Sequence, residues 1–360
     1  DLRRQRQMCI RDSYGGESYE TPNIQMLADE GMRVDQFFSQ PVCSPSRVKL
    51  MSGQYNFRNY RKWQCLDDDD PTFATLLQDA GYRTAVIGKW QLFHPGDGAC
   101  STPAEAGFDE HCVWWYREAG SRYWDPTIRQ NEELLETEPT DYGPDIFRDY
   151  ALDFITRHRE QPFLLYYPSV LPHAPFDEPP GYDGDGTQES LFGAMTEYLD
   201  AIIGDIVAHL DALGLRKDTV IMFTSDNGSP PGIDSMWNGI EVSGGKTRPD
   251  DFGTRVPMIV DWRGKIPAGH VARGPLTLAD VLPTIMDVTD TPMLEDVPCD
   301  GMSFLPQMLG DGDGPREWAY MYNDPMFHGS VRTRWVRTVR WKLYGDGRLF
   351  DIQNDMYEEN

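Results

Sequence analysis

Apolar and polar positions along the chain switch between two periods. After a Thr-Pro start, Ile24, Leu27 and Ala28 fall at helical spacing, and Gly31 ends the run. The Pro- and Ser-rich turn PVCSPSRVKLMSG runs into a second predicted helix, and residues 72–81 read as a third, closed by Gly81. YRTAVIG is a short β-rich run. Residues 145–159 read as a long helix, as does TEYLDAIIGDIVAHLDALGL, an amphipathic segment stopped by Gly214. PFLLYYPSV, TVIMFTSDNG and VPMIVDW are continuous apolar runs, as expected of strands buried on both faces. LTLADVLPTIMDVT is helical. The alternation predicts an α/β fold built on a doubly wound, mostly parallel sheet. Such sheets bind ligands beyond the carboxyl ends of their strands, so the polar residues after each apolar run are the candidates for chemistry. Two stretches depart from the alternation. Residues 91–145 are rich in Gly, Pro and Trp and read as loop. From residue 318 onward, WVRTVRWKLYGDG and RLFDIQ predict a small antiparallel unit.

Composition narrows the picture. A chain of 360 residues, 39% of them hydrophobic, suits one large α/β domain with an appendage, or two domains. No apolar run approaches the ~20 residues of a membrane-spanning helix. With 58 acidic and 33 basic residues the formal charge is −25, a surface that repels nucleic acid and anionic membranes. An anionic substrate then requires positive charge focused at its site. The six cysteines (Cys9, Cys43, Cys65, Cys100, Cys112 and Cys299) form no CxxC pair, which argues against a zinc ribbon or a thioredoxin-like motif. A Cys100–Cys112 bridge and a set of buried free thiols both remain open.

The first residues stand apart. Arg3 to Ser13, RRQRQMCIRDS, back-translate onto eleven consecutive codons of a transposon-based sequencing adapter read in one frame. Residues 1–13, with Cys9, are therefore expected to lie outside the fold, and the presence or absence of an export signal cannot be judged from them.

Five polar clusters follow the predicted elements. Cys43-Ser44-Pro45-Ser46-Arg47 joins a sulfur nucleophile to a permanent, planar cation suited to oxyanions. GYRTAVIGKW ends a strand on Lys89, with Gln91 and His94 just beyond. Pro172-His173-Ala174-Pro175 follows a buried strand and offers an imidazole for proton transfer. Ser225-Asp226-Asn227-Gly228 follows another, and its carboxylate and amide oxygens suit a hard cation such as Ca²⁺. GGKTRPDDFGTRVP sets Lys246 and Arg255 nine residues apart. Taken singly, each has an ordinary structural reading: a turn cysteine, a surface lysine, a loop histidine, a strand-ending turn.

In this order and spacing the clusters resemble the formylglycine-dependent (type I) sulfatases of the alkaline phosphatase superfamily, over about Tyr14 to Asn360. DVLPT at 280–284 and YGDGRLFDIQND at 344–355 resemble further segments of that family. The resemblance implies that Cys43 is oxidised to formylglycine by a formylglycine-generating or anaerobic maturation enzyme. It implies that Arg47 and Lys89 hold the hydrated aldehyde and the sulfate. His173 protonates the leaving alcohol, and Lys246 neutralises sulfate and leaving-group oxygens. Arg255 braces its loop, with Asp251 in place of the family's Glu, and Asp226, Asn227 and the modified Cys43 share one Ca²⁺. The implied substrate is a sulfated small molecule or glycan, and the implied location is periplasmic or extracellular.

Two departures matter. The family's His after Gly-Lys-Trp is Gln91 here, and an amide cannot act as a base; His94 is a substitute only if its loop folds back. The family's opening strand, which carries an Asp-Asp metal pair, is not seen before Tyr14-Gly15 and Thr21-Pro22-Asn23. Residues 14–317 are therefore expected to form the catalytic α/β domain without its first strand. Residues 318–360 are expected to form a truncated antiparallel subdomain. A phosphodiesterase or phosphonate monoester hydrolase of the same superfamily, and a non-catalytic sulfatase-like binding protein, are the competing expectations.

Overall fold

A computed structural model describes residues 14–93, 100–115, 120–312, 314–324, 326 and 331–360. The chain divides into two compact units. The first comprises the segment ending at Ser18, Gln25–Trp63 and Thr219–Asn360; the second comprises Tyr19–Ile24 and Gln64–Asp218.

The first unit is organised around the strand Met32–Phe38. It pairs antiparallel with Arg255–Val256 and Met258–Asp261 and parallel with His270–Thr277. Met258–Asp261 in turn pairs antiparallel with Ile221–Thr224, which ends the sheet. A separate antiparallel sheet runs in chain order through Trp318–Asn323, Thr333–Thr338, Trp341–Tyr344 and Leu349–Asp351. Its inward side chains alternate along each strand, and Ala319, Met321, Trp335, Tyr344 and Phe350 pack on Phe38.

In the second unit the sheet order is Glu133–Leu134, Ile128–Gln130, Glu110–Trp114, Arg83–Lys89, Phe163–Tyr166. Arg83–Lys89 is parallel to both its neighbours. The helices Gly143–His158 and Gln188–Ala212 cover it: Phe147, Ala151 and Phe154 from one and Met195, Leu199 and Ile202 from the other share a core with Ala85, Ile87 and Cys112.

The α/β class and the small antiparallel C-terminal unit stand as expected, with sheets of mixed rather than uniform direction. Three elements differ from the reading of the sequence. The supposed loop 91–145 contains three strands, too short to show a period. Met32–Phe38 was hidden by Arg33 and Asp35, which occupy its partly exposed alternate positions. His270–Thr277 contains Gly274 and Pro275, both poor strand residues; the register shifts between Val34 and Gln36 where they pair. The open question of the cysteines is also answered. Cys65 bridges Cys100, while Cys112 stays a free thiol inside the core, pushed up to about 12 by burial.

One contrast concerns the sheet ends. Arg83–Lys89 and Met258–Asp261, paired on both sides, are buried almost throughout. Phe163–Tyr166 and Ile221–Thr224 are equally apolar, yet every residue in them is only half-buried. Among the described residues each is an edge strand, with a strand neighbour on one side only.

Candidate active site

In the first unit, three of the clusters are joined by backbone hydrogen bonds. Cys43 opens the helix Cys43–Ser52, all ten residues of which are buried. The turn before it is laced by side chains. Gln40 N–H donates to Ser46 Oγ (2.9 Å), Gln40 Nε2 to Asn56 Oδ1 (2.8 Å), and Asn56 Nδ2 to the Pro45 carbonyl (2.9 Å). Cys43 is buried and not disulfide-bonded, and Arg47 is buried one turn further on. At the helix end Gly53 takes the left-handed conformation that closes the last turn.

The loop bearing Lys246 is stitched to this turn and to the Asp226-Asn227 turn. Thr247 N–H donates to the Pro41 carbonyl (2.8 Å), Lys246 N–H to Ser229 (2.9 Å), and Gly228 N–H to Gly253 (2.9 Å). The approach requires glycine: a Cβ on Gly228 would stand 2.0 Å from the Phe252 carbonyl oxygen, and one on Gly244 2.0 Å from that of Pro230. Cys43, Arg47, Asp226, Asn227 and Lys246 are thus carried on one connected piece of backbone.

The Asp226-Asn227 turn bears on a metal. Ser225 Oγ donates to the Asn227 carbonyl (2.9 Å) and Asn227 Nδ2 to that of Gly228 (2.9 Å). The Asn227 Oδ1 is buried and accepts no hydrogen bond. An orphaned buried acceptor costs about 1–3 kcal/mol, and a hard cation is a fitting partner for an amide oxygen beside a carboxylate. Among the described residues no cluster of three or more His, Cys, Asp or Glu side chains forms a metal site. The donors present therefore fit a cation but are few.

Arg255 and Asp251 each reach beyond their own loop. Arg255 is buried, lowered to about 10 chiefly by burial, and its guanidinium donates to the Asp35 carbonyl. Asp251 forms its ion pair with Arg337 of the C-terminal sheet (3.0 Å). Burial works to raise the Asp251 carboxyl, but Arg337, Lys342 and Arg255 outweigh it and hold the group well below the usual carboxylate range.

The second unit holds the remaining residues. Lys89 ends its strand, buried, with its N–H donating to the Pro168 carbonyl (2.7 Å). That bond ties the end of Arg83–Lys89 to the segment leading out of Phe163–Tyr166 toward His173. His173 lies between two cis peptides, Leu171–Pro172 and Ala174–Pro175. The buried Tyr123 hydroxyl grips its backbone, donating to the His173 carbonyl (2.6 Å) and accepting from its N–H (3.2 Å). The ring Nδ1 faces the Ala174 carbonyl oxygen at 2.7 Å, a contact that requires a proton on Nδ1 and leaves Nε2 for exchange. Gln91 sits at φ 44°, just past Trp90, whose indole donates to the Ser101 carbonyl (3.2 Å). The Cys65–Cys100 bridge and the bond from Leu66 N–H to the Leu92 carbonyl (3.0 Å) fasten this exit. His94 lies outside the described residues.

The supporting residues Gln40, Asn56, Tyr123, Arg337 and Lys342 were not singled out from the sequence. Arg337 and Lys342 had left a signal: both stand in the buried phase of strands that otherwise alternate, where an unexplained charge points to a buried partner.

Comparison with known proteins gives the family. The Sulfatase family model matches residues 1–291. Human arylsulfatase D is 27% identical, over 94% of this chain and 71% of its own length. The N-acetylgalactosamine-6-sulfatase of Canis lupus familiaris is 29% identical, over 93% of this chain and 70% of its own. A solved structure from work on glycosaminoglycan metabolism by Bacteroides thetaiotaomicron superposes with a TM-score of 0.81 at 23% identity, covering 96% of this chain and 91% of that one. The fold is that of the α/β hydrolases of the alkaline phosphatase superfamily. The chain belongs to the sulfatase family, enzymes that hydrolyse sulfate esters.

Proposed function

We propose that this chain hydrolyses a sulfate ester on a carbohydrate, using a formylglycine made from Cys43. The observation that carries the reading is the backbone stitching of the Lys246 loop to the nearby Asp226-Asn227 turn and to the Cys43 turn, which lies about 200 residues earlier in sequence. N-acetylgalactosamine-6-sulfatases among the relatives support a sugar as the alcohol half.

A hydrated formylglycine at position 43 supplies one hydroxyl for attack on sulfur and a second that gives its proton to water, releasing the sulfate by elimination and restoring the aldehyde. Asp226, Asn227 and position 43 would hold Ca²⁺, which supplies positive charge against the sulfate oxygens. The orphaned Asn227 Oδ1 supports that assignment. Arg47, fixed inside the helix, orients the nucleophile and neutralises an oxyanion, and Lys246 does the same from its loop. Lys89 adds a point charge. His173, its Nδ1 engaged by the Ala174 carbonyl, delivers a proton from Nε2 to the departing alcohol. Gln91, an amide, takes no proton.

The Cys65–Cys100 disulfide supports maturation in an oxidising compartment, periplasmic or extracellular. No described helix is long and apolar enough to cross a membrane. Rates on an aryl sulfate and an aryl phosphate diester test the reaction class. The sulfate is expected to turn over faster; equal or faster diester cleavage would overturn the proposal.

A further inference from the structure

The C-terminal sheet carries two cations where its pattern calls for apolar side chains. Trp335 and Tyr344 point inward, and Arg337 and Lys342 share their phase, directly opposite one another in the strand register. Their side chains are 2% and 0% exposed. A charge buried this far is costly unless it is paired. The partners come from the segment between Lys246 and Arg255 and from the end of the chain. Arg337 spans Asp251, Nη2 to Oδ2 at 3.0 Å and Nε to Oδ1 at 3.4 Å. Lys342 Nζ donates to the Pro249 carbonyl (2.7 Å) and to Glu358 Oε1 (2.6 Å), while the Tyr344 hydroxyl donates to the other Glu358 oxygen. Asp250, between these two anchors, accepts from Gly253 N–H (3.2 Å) and pairs with Arg248.

The Lys246 side chain therefore leaves a loop fixed at both ends. Lys246 N–H and Thr247 N–H tie one end to the Asp226-Asn227 and Cys43 turns. Residues 249–251 tie the other end to the C-terminal sheet. The apolar packing of that sheet on Phe38 already holds the sheet in place. Two buried cations add little to packing that apolar residues would not do at least as well, so their contribution lies in where they fix the loop.

We propose that Arg337, with Lys342 and Glu358, is a positioning device through which the C-terminal sheet sets the place of the Lys246 ammonium. None of the three touches the reacting atoms. The proposal rests on the reading of Lys246 as a sulfate-binding group, and the test separates the two.

Arg337→Met, Arg337→Lys, Glu358→Gln, Lys246→Ala and the Arg337→Met/Lys246→Ala double variant are compared by two readouts. In hydrogen–deuterium exchange, Arg337→Met is expected to speed exchange over residues 245–254 by more than it speeds exchange in Met32–Phe38 and Met258–Asp261. Unchanged exchange over 245–254 overturns the brace whatever the activity shows. In aryl sulfate kinetics after coexpression with a formylglycine-generating enzyme, Arg337→Met is expected to lower kcat/KM about ten- to a hundredfold, the scale of a small misplacement. In the Lys246→Ala background the same change is expected to cost less than about twofold. Losses that multiply fully in the double variant overturn the positioning role and leave general destabilisation. Full activity of Lys246→Ala refutes the sulfate-binding reading alone, and exchange still decides the brace. Arg337→Lys should restore part of the loss. If Arg337→Met does not fold, Glu358→Gln, which keeps a hydrogen bond to Lys342, is expected to show the same loop-confined change at smaller amplitude; exchange unchanged there also overturns the proposal.

Discussion

The helix that carries Cys43 and the loop that carries Lys246 belong to one unit but are held by opposite means. Around Cys43 the restraints are neutral: Gln40, Ser46 and Asn56 exchange hydrogen bonds with backbone and with each other, and the helix is buried along its whole length. Around Lys246 the outer restraints are ionic: Arg337 on Asp251, and Lys342 on Glu358 and a carbonyl. The difference is instructive. A nucleophile that must first be modified needs a fixed backbone. A loop with no helix or sheet of its own beyond the short Asp251–Thr254 turn can be held only by side chains that reach it, and long cations on a neighbouring sheet do so.

The sharpest break in the comparison is chemical. Cys43→Ala and Cys43→Ser are expected to abolish sulfate-ester turnover while leaving the melting temperature close to the parent's; more than a few percent of the activity in either variant, measured on an aryl sulfate, would remove Cys43 from its role.

Next in size is the ionic brace. Arg337→Met leaves the Asp251 carboxylate buried without its main partner, a change that costs about 3–5 kcal/mol, readable by denaturant unfolding. Its pH dependence carries a sign. Asp251 binds its proton less tightly folded than unfolded, so its contribution is complete above the ordinary carboxylate pKa of about 4 and is lost as pH falls below it. The acid-side loss of stability is expected to be shallower in Arg337→Met than in the parent; identical slopes would contradict the pairing.

The Cys43 helix offers the reverse case. Lys49 is buried there, with Nζ 3.6 Å from Met321 Sδ and over the Tyr55 ring, and burial lowers it to about 7. A lysine whose folded pKa is lowered opposes folding fully below about pH 7, and the penalty fades as pH rises toward the unfolded value near 10.5. Lys49→Met is expected to stabilise the protein by about 1–4 kcal/mol at or below neutrality, with the gain shrinking toward pH 10. A loss of stability at pH 7 would show that the charge is needed. Smallest is Asn56→Ala, which removes two neutral hydrogen bonds and is expected to cost about 1–3 kcal/mol, with no change in the acid-side slope.

Much of this was legible in the sequence. The helix at Pro22–Glu30, the long helix Gln188–Ala212 and the apolar strands showed clear periods, and short motifs at strand ends marked Cys43, Lys89, His173, Asp226 and Lys246. What stayed hidden was whatever depended on partners distant in sequence. Met32–Phe38 carries charges on its outer face, and Glu110–Trp114 lies in a Gly- and Pro-rich stretch; both become strands because neighbours supply their hydrogen bonds. The Cys65–Cys100 pairing could not be chosen from spacing. Asp251 was read only as standing where the family has Glu; its ion pair with Arg337, 86 residues away, forms because the C-terminal sheet brings an inward-facing guanidinium to it.

The central claim is that Cys43 is the precursor of the nucleophile. It is tested most directly by the mass of the tryptic peptide running from Val34 to Arg47, taken from protein coexpressed with a formylglycine-generating enzyme and assayed on an aryl sulfate in the same preparation. The account predicts formylglycine in place of cysteine at position 43, with turnover rising in proportion to the converted fraction. Sulfatase turnover from protein whose peptide carries only unmodified cysteine would contradict it.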